Sequence, residues 1–88
     1  MTAEQKENLR LQALKAIGAA KGYAVTLSQI LPGLAHPLRT QPTEDIEAEL
    51  LYLKDKGFVE SEKKEIGTVK RWRITAAGRD YLAEEGME

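Results

Sequence analysis

The chain has 88 residues and no cysteine, and its 13 basic and 14 acidic side chains give a formal net charge of −1 at pH 7. This length predicts one domain with a small core, and the lack of cysteine excludes disulfides and thiolate metal sites. A chain without overall positive charge needs a local basic patch to bind nucleic acid. No apolar run approaches the roughly 18 residues of a membrane span, and the first residues do not form a secretory signal. We therefore expect a cytoplasmic protein without a membrane partner.

The N-terminal segment predicts a long first helix over residues 3–21. Thr2 and Gln5 have the spacing of a capping box. Leucine and isoleucine recur every three positions between residues 11 and 17, beside several alanines, which indicates one apolar stripe of an amphipathic helix. Gly22 suits the left-handed position that follows a helix.

A short strand and a short second helix are predicted next. Residues 23–25 are apolar and favour a brief strand. Thr26 and Gln29 form a second capping-box pattern, and Pro32 limits the length of the helix that follows because proline disrupts a helix interior. Residues 35–42 contain two prolines and are predicted to be an ordered loop.

Residues 44–56 give the clearest helix, the third in chain order. Thr43 is a favourable N-cap, and the acidic first turn and basic last turn suit the helix dipole. Gly57 is expected to end the helix, with Phe58 contacting Leu53 across a Schellman-type cap. The apolar stripe expected to face the core consists of Ile46, Leu50 and Leu53.

A β-hairpin and a last helix complete the predicted order. Residues 58–62 and 68–74 read as strands joined through residues 63–67. Trp72 and Ile74 alternate with arginines, so we expect the apolar pair to face the core and the arginines to face water. Thr75 is expected to cap a helix over residues 76–85, whose Tyr81 and Leu82 pack inward. The class is α+β, and no internal repeat is present.

This order resembles the winged helix-turn-helix family of small bacterial and phage DNA-binding regulators. Residues 50–60 (LLYLKDKGFVE) are similar to the family's L-x-x-L-x-x-x-G-apolar-apolar junction between recognition helix and wing. Residues 72–82 (WRITAAGRDYL) look like its aromatic-x-Leu/Ile-Thr-x-x-Gly-x-x-x-Leu passage into the final helix. The resemblance covers residues 9–83 and implies a three-helix core, a β-hairpin wing and a C-terminal helix. It also implies double-stranded DNA as partner and a role in transcription regulation.

The charge of the third helix departs from that pattern. In the family, the helix matching residues 43–56 enters the major groove. Here those residues include five acidic and two basic side chains, a net charge of −3, which phosphates would repel. Residues 60–73 carry a net charge of +2. We therefore expect the wing and residues 35–42 to anchor DNA.

The candidate DNA contacts follow from that charge distribution. The phosphate candidates are Arg39, Lys63, Lys64, Lys70, Arg71 and Arg73. The candidates for base contacts are Thr40, Gln41 and Thr43. Trp72 is interpreted as a core residue, although an aromatic between two arginines can also stack on a base.

The alternative is a protein-interaction module that docks its acidic third helix onto a basic or apolar partner. Its contact candidates are Glu44, Glu47, Ala48, Leu51 and Tyr52. A homodimer through the first and final helices is a separate expectation. His36 is the only histidine, and no catalytic, phosphate-cradling or metal-ligand pattern is present. We therefore expect neither enzyme activity nor a cofactor.

Overall fold

Five α-helices and a three-stranded antiparallel sheet make up the α+β fold in the computed structural model, which describes residues 1–63 and 69–86. The helices are α1 (Ala3–Gly18), α2 (Leu27–Ile30), α3 (His36–Arg39), α4 (Thr43–Asp55) and α5 (Ala76–Glu84); the strands are β1 (Val25–Thr26), β2 (Val59–Lys63) and β3 (Lys70–Ile74). Strand β3 lies between the other two and pairs with both. Over these two described segments, no helix is long and apolar enough to cross a membrane.

The sheet presents one apolar face to the helices. Trp72 pairs with Val25 of β1 and with Ser61 of β2, while Ile74 pairs with Val59. Trp72, Ile74 and Val59 are each at most 3% exposed. The predicted inward orientation of Trp72 and Ile74 is confirmed, because alternate residues of a strand face the same side. Strand β3 begins two residues later than predicted.

Helix α1 is shorter than predicted and ends at Gly18 rather than at residue 21. The chain leaves the helix through single turns in which the Lys21 N–H donates to the Gly18 carbonyl at 3.0 Å. Lys21 and Gly22 then adopt φ values of 52° and 94°, and two successive left-handed residues cannot continue a right-handed helix. The predicted Thr2–Gln5 capping box is confirmed.

The segment between α2 and α4 is more helical than predicted. Helix α2 is short and continues as a 3₁₀ turn, Leu31–Gly33, which accommodates Pro32, as expected. The interpretation of residues 35–42 as a loop was wrong in part, because α3 forms one helical turn there. Pro37 does not prevent this turn, because it lies at the helix start, where no backbone N–H is needed.

Helix α4 begins after Pro42 and ends before Gly57. Its N-cap is Pro42, so the assignment of Thr43 as N-cap was wrong by one residue; Thr43 lies inside the first turn. At the other end, Gly57 has φ 80°. The Phe58 N–H donates to the Leu53 carbonyl at 3.0 Å, and the Gly57 N–H donates to the Lys54 carbonyl at 2.9 Å. The predicted Schellman cap is thereby confirmed.

The start of α5 contacts the C-terminal end of α4 through hydrogen bonds and one pair of stacked rings. The Thr75 hydroxyl donates to the Gly57 carbonyl at 2.6 Å and accepts from the Gly78 N–H at 3.1 Å. The Thr75 N–H donates to the Phe58 carbonyl at 3.1 Å. The Phe58 and Tyr81 rings stack with centroids 4.8 Å apart. Burial, and secondarily the Glu85 carboxylate, raises the pKa of Tyr81. The two sequence patterns, residues 50–60 and 72–82, therefore meet at one junction.

Candidate nucleic-acid interface

The hairpin arginines share their face of the sheet with two acids. In the β2–β3 register, Glu60 lies opposite Arg73 and Glu62 lies opposite Arg71. The Arg73 guanidinium also forms a diagonal ion pair with the Glu62 carboxylate. Both arginines lie on the face opposite Trp72 and Ile74, as the alternation predicted, and both are half-exposed. Acids and bases are balanced on this face, which leaves Arg73 a weaker phosphate candidate than its sequence position indicates.

Lys70 lies at the edge where the hairpin meets the helices. It is exposed, and it lines a groove of about 320 Å³ together with Glu47 of α4 and the start of α2. Lys70, a candidate for DNA contact, and Glu47, a candidate for contact with a protein partner, therefore line the same groove. Lys63 lies opposite Lys70 in the strand register. Lys64 falls outside the described residues.

The candidates from residues 39–43 lie at the turn between α3 and α4. Arg39, Thr40 and Thr43 are exposed, and Gln41 is half-buried. The Gln41 amide donates to the Pro37 carbonyl at 3.1 Å, and the Thr40 hydroxyl donates weakly to the same oxygen at 3.4 Å. The Thr40 hydroxyl and one of the two Gln41 amide protons are therefore used within their own turn. Arg39 and Thr43 remain the better placed members of this group.

One acid of α4 is turned away from the surface. Glu49 is 6% exposed, and its carboxylate accepts a hydrogen bond at 2.8 Å from Nε of Arg10 on α1. The Arg10 guanidinium lies 3.7 Å from the centroid of the Tyr52 ring. Sequence reasoning missed this pair. The available signal was the position of Glu49 beside Leu53 on the helical wheel, on the core side of α4.

The surface of α4 opposite the core is acidic at both ends and apolar between them. Glu44, Ala48, Leu51 and Asp55 follow the i, i+4, i+7, i+11 spacing of one helix face, and all are exposed. We call these four residues the α4 outer face. Leu51 is 41% exposed, and the face spans roughly 16 Å at 1.5 Å per residue. None of the four side chains can donate a hydrogen bond to a base edge when the acids are ionised.

Comparison with protein-family models, with curated proteins and with solved structures gave no match. Within residues 1–63 and 69–86, no group of three or more metal-ligating side chains is present. The surfaces that bear on function are the hairpin, the 39–43 turn and α4.

Proposed function

We propose that this protein is a winged-helix DNA-binding protein that acts in transcription regulation. The observation that carries the proposal is the topology, in which a strand after α1 joins the hairpin that directly follows α4, giving the sheet order β1-β3-β2. That arrangement fits the family resemblance, with α4 as the recognition helix and β2–β3 as the wing. The interlocked junction between Gly57 and Thr75 adds support, because it joins the two family-like patterns.

In this proposal, the hairpin and the segment 35–42 anchor the duplex through its phosphates. Such contacts position a protein on DNA without reading its sequence. Helix α4 contributes little to base reading, because its outer face offers no donors and carries acids at both ends. Thr43 is the remaining hydroxyl in the first turn of α4. The phosphate contacts are assigned to Arg39, Lys63, Lys64, Lys70 and Arg71, with Arg73 held by Glu62.

DNA binding can be measured by fluorescence anisotropy of labelled duplexes of mixed sequence. We expect binding that weakens steeply between about 50 and 200 mM salt. Lys70→Gln is expected to weaken binding several-fold and to reduce the slope of log affinity against log salt by about 1. Glu47→Gln is expected to strengthen binding, because it removes a carboxylate from the groove that Lys70 lines.

Lys6→Gln is the matched control, because Lys6 is an exposed lysine on α1 and is not assigned to the interface. It should leave both the affinity and the salt slope unchanged. The proposal fails if no binding occurs at roughly tens of micromolar protein in low salt, or if binding is indifferent to salt. Equal losses in Lys6→Gln and Lys70→Gln would contradict the assignment of the hairpin.

The second candidate function is a protein-interaction module, favoured by the exposed Leu51 between two acids on the α4 outer face. Leu51→Asn should abolish protein binding and leave DNA affinity unchanged, because it removes the exposed apolar side chain without adding a charge to α4. The double variant Lys63→Glu, Lys64→Glu should do the reverse. Recovery of nucleic acid alone from a cell extract, lost in that double variant, would exclude this second function.

A further inference from the structure

A basic groove lies on α1, β3 and α5, apart from the hairpin and the α4 outer face. Its volume is about 490 Å³. It is lined by three exposed cationic residues and by a floor of small or apolar ones: Lys15, Lys21 and Arg79, with Gly18, Ala19, Ile74 and Leu82. No acidic residue lines it. We call this surface the basic groove.

The cations of the basic groove have no ion-pair partner in the described part of the chain. The ion pairs among residues 1–63 and 69–86 are Arg10–Glu49 and Arg73–Glu62. Lys15 and Lys21 lie near the C-terminal end of α1, where the helix dipole favours positive charge. Arg79 lies near the start of α5, where the dipole disfavours it. Helix electrostatics therefore does not explain all three charges.

Two backbone features shape the basic groove. A Cβ at Gly18 would lie 3.0 Å from the terminal methyl carbons of Ile74 and Leu82, so the α1 backbone lies close against these apolar side chains. Lys21 adopts φ 52°, a left-handed conformation that is unfavourable for a non-glycine residue. Local backbone preference would favour glycine at this position, whereas the chain carries a cation there.

We propose that the basic groove binds the α4 outer face of a second copy of this protein. The two surfaces are complementary in charge and in character. Glu44 and Asp55 place a carboxylate at each end of the outer face, and Ala48 and Leu51 lie between them. The groove offers cations around an apolar floor. The charged ends pair with the groove cations, while Leu51 contacts the floor.

The contact joins two different surfaces, the basic groove of one copy and the α4 outer face of another, so a single contact is heterologous. It becomes reciprocal when two copies each place their α4 outer face in the basic groove of the other. A heterologous contact builds rings or chains, whereas a reciprocal exchange closes a dimer. In either case the assembly weakens with salt, because exposed charges are screened. The hairpin is not used, so phosphate anchoring by the hairpin does not depend on this inference; the contact does cover the outer face of α4 and therefore excludes simultaneous entry of that helix into a DNA groove.

Sedimentation velocity over a range of protein concentrations tests the inference. We expect the wild-type protein to form species larger than the 9.8 kDa monomer, and these species to disappear at high salt. Lys21→Gly combined with Arg79→Gln should remain monomeric. Loss of assembly in that variant cannot be attributed to unfolding at residue 21, because glycine is better suited to a positive φ than lysine. Lys6→Gln should assemble as the wild type does.

A charge exchange supplies the decisive comparison. Lys21→Glu with Arg79→Glu reverses the basic groove, and Glu44→Lys with Asp55→Lys reverses the outer face. Each double variant alone should be monomeric, and an equimolar mixture of the two should assemble again.

Three outcomes would overturn the proposal. The wild type could stay at 9.8 kDa at the highest concentration, or the mixture could remain monomeric. The groove variants could also lose DNA affinity while the oligomeric state is unchanged, which would identify phosphate as the ligand of this groove. Failure of the proposed DNA binding is distinguishable, because it is read from anisotropy and not from sedimentation.

Discussion

Replacement of Gly78 by alanine is expected to destabilise the protein by about 3 kcal/mol. A Cβ at this position would lie 2.2 Å from the Phe58 carbonyl oxygen and 2.9 Å from Ile74 Cγ1. That oxygen accepts the Thr75 N–H, and the adjacent Gly57 carbonyl accepts the Thr75 hydroxyl, so the strand and the helix cannot separate without breaking both bonds. This loss of stability is opposite in sign to the effect of helix propensity, which favours alanine over glycine by about 1 kcal/mol.

Urea unfolding followed by circular dichroism measures this effect as a lower midpoint. Ala77→Gly is the matched control, since Ala77 is the preceding residue of α5 and is exposed. It should cost at most about 1 kcal/mol through propensity alone. If Gly78→Ala were as stable as the wild type or more stable, the close approach of α5 to the α4–β2 junction would be refuted.

Local sequence signals predicted the features that depend on neighbouring residues. Gly57 ends α4 in a Schellman cap because its backbone conformation and its hydrogen bonds involve only residues 53–58. Thr75 caps α5 for the same reason. The alternation around Trp72 and Ile74 correctly predicted which face of β3 is buried. The helical turn of α3 was missed because two prolines favour a loop in general, although proline is tolerated at a helix start.

The features that the sequence did not predict depend on distant residues. Arg10 and Glu49 are 39 positions apart, and only the packing of α1 against α4 brings them together. The ion pair of Arg73 with Glu62 depends on the strand register, which the predicted strand bounds left undefined. The net charge of −3 on residues 43–56 overstated the acidity of the helix surface, because Glu49 is neutralised by Arg10 from outside that segment. The pair of Arg73 with Glu62 lies within residues 60–73 and leaves the net charge of +2 unchanged.

The second large effect is expected from Arg10→Met, which should destabilise the protein by about 3 kcal/mol. The Glu49 side chain is 8% exposed and the Arg10 side chain is 26% exposed. Removal of the cation leaves the Glu49 carboxylate buried without its partner, which typically costs about 3–5 kcal/mol. The lower end of that range applies because the pair is partly accessible to water. Methionine keeps an unbranched apolar chain beside the Tyr52 ring, so the loss is mainly electrostatic.

The reverse substitution, Glu49→Met, should cost less than about 1 kcal/mol. Arg10 would keep its position over the Tyr52 ring, and its partly exposed guanidinium can reach water along its flexible chain. The double variant should lie within about 1 kcal/mol of the wild type, because an apolar pair replaces the buried ion pair. Urea unfolding of all four proteins gives the coupling energy directly. Additive losses in the double variant would show that the Arg10–Glu49 bond does not hold α1 to α4.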